Sequence, residues 1–222
     1  MSEVDFGLIL EKIKEMLSKE PHSKTTMLGD LTKKINDPYV VLTATILSHR
    51  TKDEITEKVV IDFIKKYPNV NELAKADVKE LENVIKKVGF YRNKAKTLIK
   101  LAKILVEKYN GKIPDDINEL LSLPGVGRKT ANCVLVYAYK KPAIPVDTHV
   151  HRIMNRLGIV ETKTPEETEF ALMEKIDKKY WLDINETFIR FGKSICKPIK
   201  PLCNICTLKT ICKYYKKLPK DR

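Results

Sequence analysis

Apolar residues recur at helical spacing along most of this chain, and no stretch alternates apolar with polar residues as a half-buried strand does. That pattern restricts the chain to helix packed on helix. Val4, Leu8, Ile9, Ile13, Met16 and Leu17 fall on one side of an amphipathic helix that Pro21 would end. Residues 38–48 (PYVVLTATILS) carry no charge and read as a buried helix. Segments 55–67, 78–88 and 95–109 each place Lys and Glu opposite an apolar face. Asn110-Gly111 and Pro114 interrupt the pattern, and 115–121 is a short helix with an acidic first turn. Segments 128–139, 148–157, 165–178 and 184–194 complete the helices. There is no fixed-period repeat and no low-complexity linker. The expected fold class is all-α.

The 222 residues suffice for one large core or two small ones. Lys and Arg number 42 against 29 Asp and Glu, a formal net charge of +13 that favours a polyanionic partner, nucleic acid being the commonest. Lys and Glu are abundant and Gln is absent, a bias seen in thermophiles. No window approaches the roughly 18 apolar residues of a membrane span. The N-terminus lacks the basic start and small-residue cleavage site of a signal peptide, so no membrane association and an intracellular location are expected.

The most specific local signal is NELLSLPGVGRKTANCVLVYAY. Leu123-Pro124-Gly125-Val126-Gly127 makes a tight turn between two helical runs, with Pro124 fixing φ and the glycines offering backbone conformations closed to other residues. Backbone N–H groups at the start of the second helix, around Arg128, Lys129 and Thr130, can then approach a phosphate, and the helix dipole favours that anion. Such a device grips a DNA backbone without reading sequence. Gly127-Arg128-Lys129-Thr130 resembles the end of a P-loop, but no glycine directly precedes the Lys and no strand precedes the turn, so nucleotide hydrolysis is excluded.

Four of the five cysteines follow C-x6-C-x2-C-x5-C: Cys196, Cys203, Cys206 and Cys212. In an intracellular chain such clustering points to a metal centre rather than to disulfides. Zinc and an iron–sulfur cubane both accept four thiolates, and the spacing does not separate them. Cys133 sits within an apolar helical run and reads as core. From Cys196 onward the tail is loop-like and basic, with eight Lys or Arg against Asp221 alone, and with Tyr214 and Tyr215 among them. A metal would fix Lys197 and Lys200, between the first two cysteines, where they can meet phosphates.

VGFYRNKA, LPGVGRKTAN, VDTHVHRIMNRLG and the four-cysteine pattern together resemble the endonuclease III family of helix-hairpin-helix DNA glycosylases, in the family's order and spacing, over residues 30–212. The resemblance implies a 4Fe–4S cluster on the four cysteines. It also implies two all-α lobes flanking a DNA-binding cleft: a six-helix lobe over 29–141 carrying the helix-hairpin-helix, and a cluster-bearing lobe made of 1–28 and 142–222. Lys129 takes the place of the family's catalytic nucleophile and Asp147 that of its essential carboxylate. The implied partner is double-stranded DNA containing damaged bases or abasic sites, met by a monomer in the nucleoid-associated cytoplasm of a prokaryote. Relatives without a Lys at this position only remove a base, so Lys129 implies base removal plus strand cleavage at the abasic site.

That chemistry suits these residue types. An amine that attacks the sugar C1′ displaces the base and leaves an imine, which acidifies the C2′ hydrogens and permits β-elimination. The amine must be neutral, and an ordinary Lys is neutral about once in 2,500 at pH 7. A helix N-terminus and the neighbouring Arg128 both disfavour an ammonium. Asp147 precedes a helix, so capping is its bland role, compatible with assisting proton movement or stabilising charge on the sugar. His149 and His151 lack a third ligand nearby in sequence, and packing or DNA contact is expected of them. A base inside a duplex must be flipped out and its place plugged. Phe90 and Tyr91 stand where the family places an aliphatic wedge. His49 and Arg50, in LSHRTKD, depart from the family's LSAQTTD, with Arg50 where a Gln would probe the opposing strand. Removal of oxidised pyrimidines is the leading expectation. The rivals are a mismatch- or purine-specific glycosylase of the same superfamily and a non-enzymatic DNA-binding scaffold with a structural metal.

Overall fold

The computed structural model describes residues 5–20, 23 and 25–218. Among them every regular element is a helix, as the periodicity requires, and no helix is long and apolar enough to cross a membrane. The chain divides into two compact units, Met27–Ala143 and Met1–Thr26 with Ile144–Arg222.

The first unit is built around α3 (Pro38–Ser48). Asp37 caps its first turn by accepting from the Tyr39 amide at 2.8 Å, and Pro38 occupies a first-turn position where no N–H is needed. Every residue from Tyr39 to Leu47 is buried. Its two polar members are satisfied locally: Thr43 Oγ1 donates to the Tyr39 carbonyl and Thr45 Oγ1 to that of Val41. Around it pack α2 (Met27–Lys34), α4 (Asp53–Lys66), α7 (Tyr91–Tyr109) and α9 (Arg128–Cys133). The short helices α5 (Val70–Ala74), α6 (Val78–Ile85) and α8 (Ile117–Ser122) begin on side-chain caps from Asn69, Asp77 and Asp116.

The second unit joins α1 (Phe6–Lys19) to the C-terminal part of the chain. Ile9, Leu10, Ile13, Met16 and Leu17 share a core with α10 (Thr148–Leu157), α11 (Pro165–Lys175) and α12 (Trp181–Ser194), in which Phe188 and Phe191 are fully buried. Asn185 Nδ2 donates to the Pro145 carbonyl at 2.7 Å in the interior, which fixes the link leading into α10.

Several boundaries differ from the sequence reading. α2, α5 and the terminal turn α13 (Lys213–Lys216) gave too few apolar residues to show a period, α2 burying only Met27 and Leu28. α7 begins at Tyr91, four residues earlier than its apolar stripe, because YRNK continues a helix whose first turn is polar. The run 128–139 is not one α-helix: it widens to a π-helix over Val134–Ala138, and nothing in its apolar composition distinguishes the two.

Candidate active site

The hairpin between α8 and α9 is anchored by its apolar residues. Leu123 and Val126 are buried, and the Val126 amide donates to the Leu123 carbonyl at 3.2 Å. Gly125 has φ +77°, and a Cβ there would lie 2.4 Å from Thr97 Cγ2 of α7, so glycine is required twice over. Gly127 differs from the expectation. Its φ of −95° and ψ of 177° are extended backbone open to any residue, and nothing lies within 4 Å of the position a Cβ would take. Its missing side chain serves only to leave the entrance to α9 uncovered. Arg128 and Lys129 follow, half-buried in the first turn, and Thr130 is buried.

Beside Thr130 stands the loop after α3. His49 Nε2 lies 3.3 Å from Thr130 Oγ1. Burial, then the positive charges of Lys129 and Lys94, push the His49 pKa down to about 4, so the imidazole is neutral at pH 7 and adds no charge next to Lys129. Lys94 of α7 is buried, and its Nζ donates to the carbonyls of Leu47 at 2.8 Å and His49 at 2.6 Å. Burial lowers its pKa to about 8. Sequence reasoning missed Lys94, although it falls in line with Leu98, Leu101 and Leu105 on the apolar face of α7, where a charged residue is out of pattern.

Arg50 and Phe90 come together on the same unit. Both have left-handed backbone, with φ of 54° and 56°. The guanidinium carbon lies 5.4 Å from the Phe90 ring centroid, and the ring is 62% exposed, which removes the reading of Phe90 as a core aromatic. Tyr91 is instead partly buried against the core, with Arg92 over its ring at 5.2 Å.

In the other unit Asp147 caps α10. Its Oδ1 accepts from the amides of both His149 and Val150 at 2.9 Å, while Oδ2 has no hydrogen bond among the described residues. His149 Nδ1 lies 3.2 Å from Arg152 Nη2, and His151 Nδ1 lies 2.7 Å from Thr168 Oγ1, so both histidines have protein partners. Arg152 Nη2 also donates to the Cys196 carbonyl at 2.9 Å. Arg156, one turn on, donates to the carbonyls of Lys197 and Pro198 at 2.7 and 2.8 Å and stacks 4.4 Å from the Tyr214 ring. Lys197 and Lys200 are exposed on that loop.

Cys196, Cys203, Cys206 and Cys212 are half-buried free thiols lining one open pocket of about 380 Å³, whereas Cys133 is buried in the core of the other unit. Burial raises the Cys206 pKa to about 11 and also raises that of Cys203, and in both the neighbouring thiols add to the rise. Among the described residues no three His, Cys, Asp or Glu side chains are gathered tightly enough to hold a single metal ion.

A glycine hairpin presenting a Lys at a helix start, a carboxylate capping a second helix and a basic tail define a helix-hairpin-helix protein that works on DNA. The family model for HhH-GPD superfamily base excision DNA repair proteins matches residues 43–178. Endonuclease III of Thermotoga maritima is 52% identical over 83% of this chain and 86% of its own length. Endonuclease III of Bacillus subtilis is 38% identical over 92% and 90%. A trapped endonuclease III–DNA covalent intermediate superposes with a TM-score of 0.85 at 35% identity, covering 98% of both chains. A thermostable thymine-DNA glycosylase reaches 0.82 at 27% identity, covering 96% of this chain and 97% of its own. The chain belongs to the endonuclease III family of base-excision DNA repair proteins.

Two outcomes follow from this geometry. Gly125→Ala is expected to cost about 1–3 kcal/mol through its left-handed φ and the Thr97 clash, whereas Gly127→Ala stays within about 0.5 kcal/mol of the parent; urea unfolding measures both. His49 binds its proton less readily folded than unfolded. It therefore contributes stability that is present above pH 6.5 and lost as pH falls toward about 4. Subtracting the unfolding free energies of His49→Ala from those of the parent across that window isolates this slope, and a flat difference contradicts it.

Proposed function

We propose that the chain is a bifunctional glycosylase and abasic-site lyase, acting on oxidised pyrimidines in double-stranded DNA, with Lys129 as nucleophile and Asp147 as its carboxylate. The observation that carries this reading is Lys129 itself: an amine in the first turn of α9, directly after the uncovered glycine at 127 and beside an imidazole kept neutral. Leu123, Gly125 and Val126 shape the turn, and the backbone from Gly127 to Thr130 faces phosphate.

The neutral amine of Lys129 bonds to C1′ as the C1′–base bond breaks, and the base departs with the electron pair and takes up a proton. The sugar ring opens to an iminium. Loss of a C2′ proton then drives the electrons toward C3′, whose bond to oxygen breaks with the 3′ phosphate as leaving group. Asp147 uses one oxygen to cap α10 and keeps Oδ2 for stabilising the cationic sugar or moving a proton. Phe90, with Tyr91 at its base, fills the space of the extruded nucleotide, and His149, Lys197 and Lys200 add contacts to the DNA backbone.

The four thiols fit a 4Fe–4S cluster. They share one pocket and no disulfide pairs them, while the spread that suits no single ion suits a polynuclear group. Cys196, Cys203, Cys206 and Cys212 would hold it, and when bound it supplies a rigid anchor for a tail too polar to form its own core. The place of action consistent with this reading is the nucleoid of a prokaryotic cell.

Borohydride added to the protein with a single-lesion duplex is expected to trap a covalent complex, and Lys129→Ala to abolish it. Asp147→Asn keeps the cap, since Asn serves as well as Asp there. It is expected to fold and bind DNA while losing most turnover, at least about a hundredfold; unimpaired cleavage removes Asp147 from the chemistry. Metal analysis is expected to find iron and acid-labile sulfide in equal amounts in a brown protein, and a colourless zinc protein defeats the cluster assignment.

A further inference from the structure

The paired side chains of Arg50 and Phe90 project from a braced double loop. Both residues accept left-handed backbone, which costs about 1 kcal/mol or more at a residue other than glycine. Below them the Gly89 amide donates to Thr51 Oγ1 at 3.0 Å. A Cβ on Gly89 would lie 2.7 Å from the Arg50 carbonyl oxygen, so the two loops meet backbone to backbone. The result is an apolar ring held out in water with a planar cation resting on it at 5.4 Å. The guanidinium makes no hydrogen bond within the described residues. Strain, exposure and open donors on one small tip mark it as a contact surface, and apolar side chains of this kind on DNA-binding proteins wedge between base steps.

We infer that Arg50, supported by Phe90, selects guanine as the base opposite the excised one, and that the preferred substrates are therefore pyrimidine lesions derived from cytosine. This rests on the glycosylase reading above, because extrusion of the damaged nucleotide is what leaves its partner unpaired. A ring inserted into that gap carries the guanidinium to the orphaned base. Arginine offers only donors, in a fixed planar fork. Guanine presents two adjacent acceptors, O6 and N7, that match the fork, whereas adenine sets an amino donor beside its N7. A Gln, with one donor group and one acceptor, would match adenine instead. Damage to cytosine leaves guanine in the opposite strand and damage to thymine leaves adenine, so the residue that reads the partner sorts lesions by origin.

The test uses the whole chain and duplexes that carry one uncleavable tetrahydrofuran abasic analogue opposite guanine or adenine. Single-turnover excision of one oxidised pyrimidine placed opposite each base runs in parallel. Binding is expected to be about tenfold tighter opposite guanine. Arg50→Gln brings the ratio to one or below. Arg50→Lys, which keeps the charge without the fork, also falls near one, and Phe90→Ala lowers the ratio by removing the support. A ratio near one in the parent, or a guanine preference that survives Arg50→Gln, overturns the proposal. Binding to the analogue requires no chemistry. Guanine preference without excision therefore defeats the glycosylase reading and leaves the selection standing, excision without preference does the reverse, and failure to bind any duplex overturns both.

Discussion

A buried ammonium at the end of α3 organises the unit that carries Lys129. The last carbonyls of a helix have no partners within it, and a cation there also suits the helix dipole. Lys94 reaches across from α7 to satisfy those of Leu47 and His49 together. Three consecutive residues depend on this anchoring. His49 meets Thr130 at the start of α9, Arg50 stacks on Phe90, and Thr51 holds the Gly89 amide. A side chain in the core thus sets the position of groups on the surface, and it does so through carbonyl oxygens that carry no net charge.

The same economy governs the unit that carries Asp147. Asn185 holds the Pro145 carbonyl two residues before the aspartate, and backbone amides then hold its carboxylate. Arg152 and Arg156 grip carbonyls of the cysteine loop rather than carboxylates. The ion pairs elsewhere, such as Lys14–Asp183 and Lys66–Glu80, lie between exposed side chains remote from these groups. For a chain of net charge +13 that meets an anionic polymer, positioning by neutral backbone groups has a physical advantage. It does not consume the positive charge the polymer must encounter, and salt does not screen it as it screens surface pairs.

Much of this was legible in the sequence wherever a residue type has one physical use. Asp147 before a helical run reads as a cap and is one, and Pro38 with an uncharged run behind it marks α3 to the residue. Helices of five to eight residues escaped, because two buried side chains do not make a period, as α2 shows. The two hairpin glycines read alike, yet only the backbone reveals that Gly125 answers to φ and to Thr97 while Gly127 answers to empty space. Lys94 was visible as a charge on an apolar stripe, but its meaning required knowing that the end of α3 lies beside it. The stacking of Arg50 on Phe90 joins residues forty apart and follows from two left-handed turns that no propensity would choose.

The cysteine tail extends the argument from geometry to folding. Four thiols brought together in one pocket resist ionisation, as the raised Cys206 and Cys203 show, and a thiolate ligand set therefore needs positive charge to form. Protein cations supply part of it: Arg156 reaches Cys196 Sγ at 3.5 Å while stacking on Tyr214, and its own carbonyl accepts from Cys212 Sγ. Arg156 belongs to α10, whose first turn Asp147 caps. Whatever orders the loop of Cys196 also fixes the far end of the helix that presents the carboxylate, so a cluster distant in sequence from the reacting groups stabilises one of them through a single rigid helix.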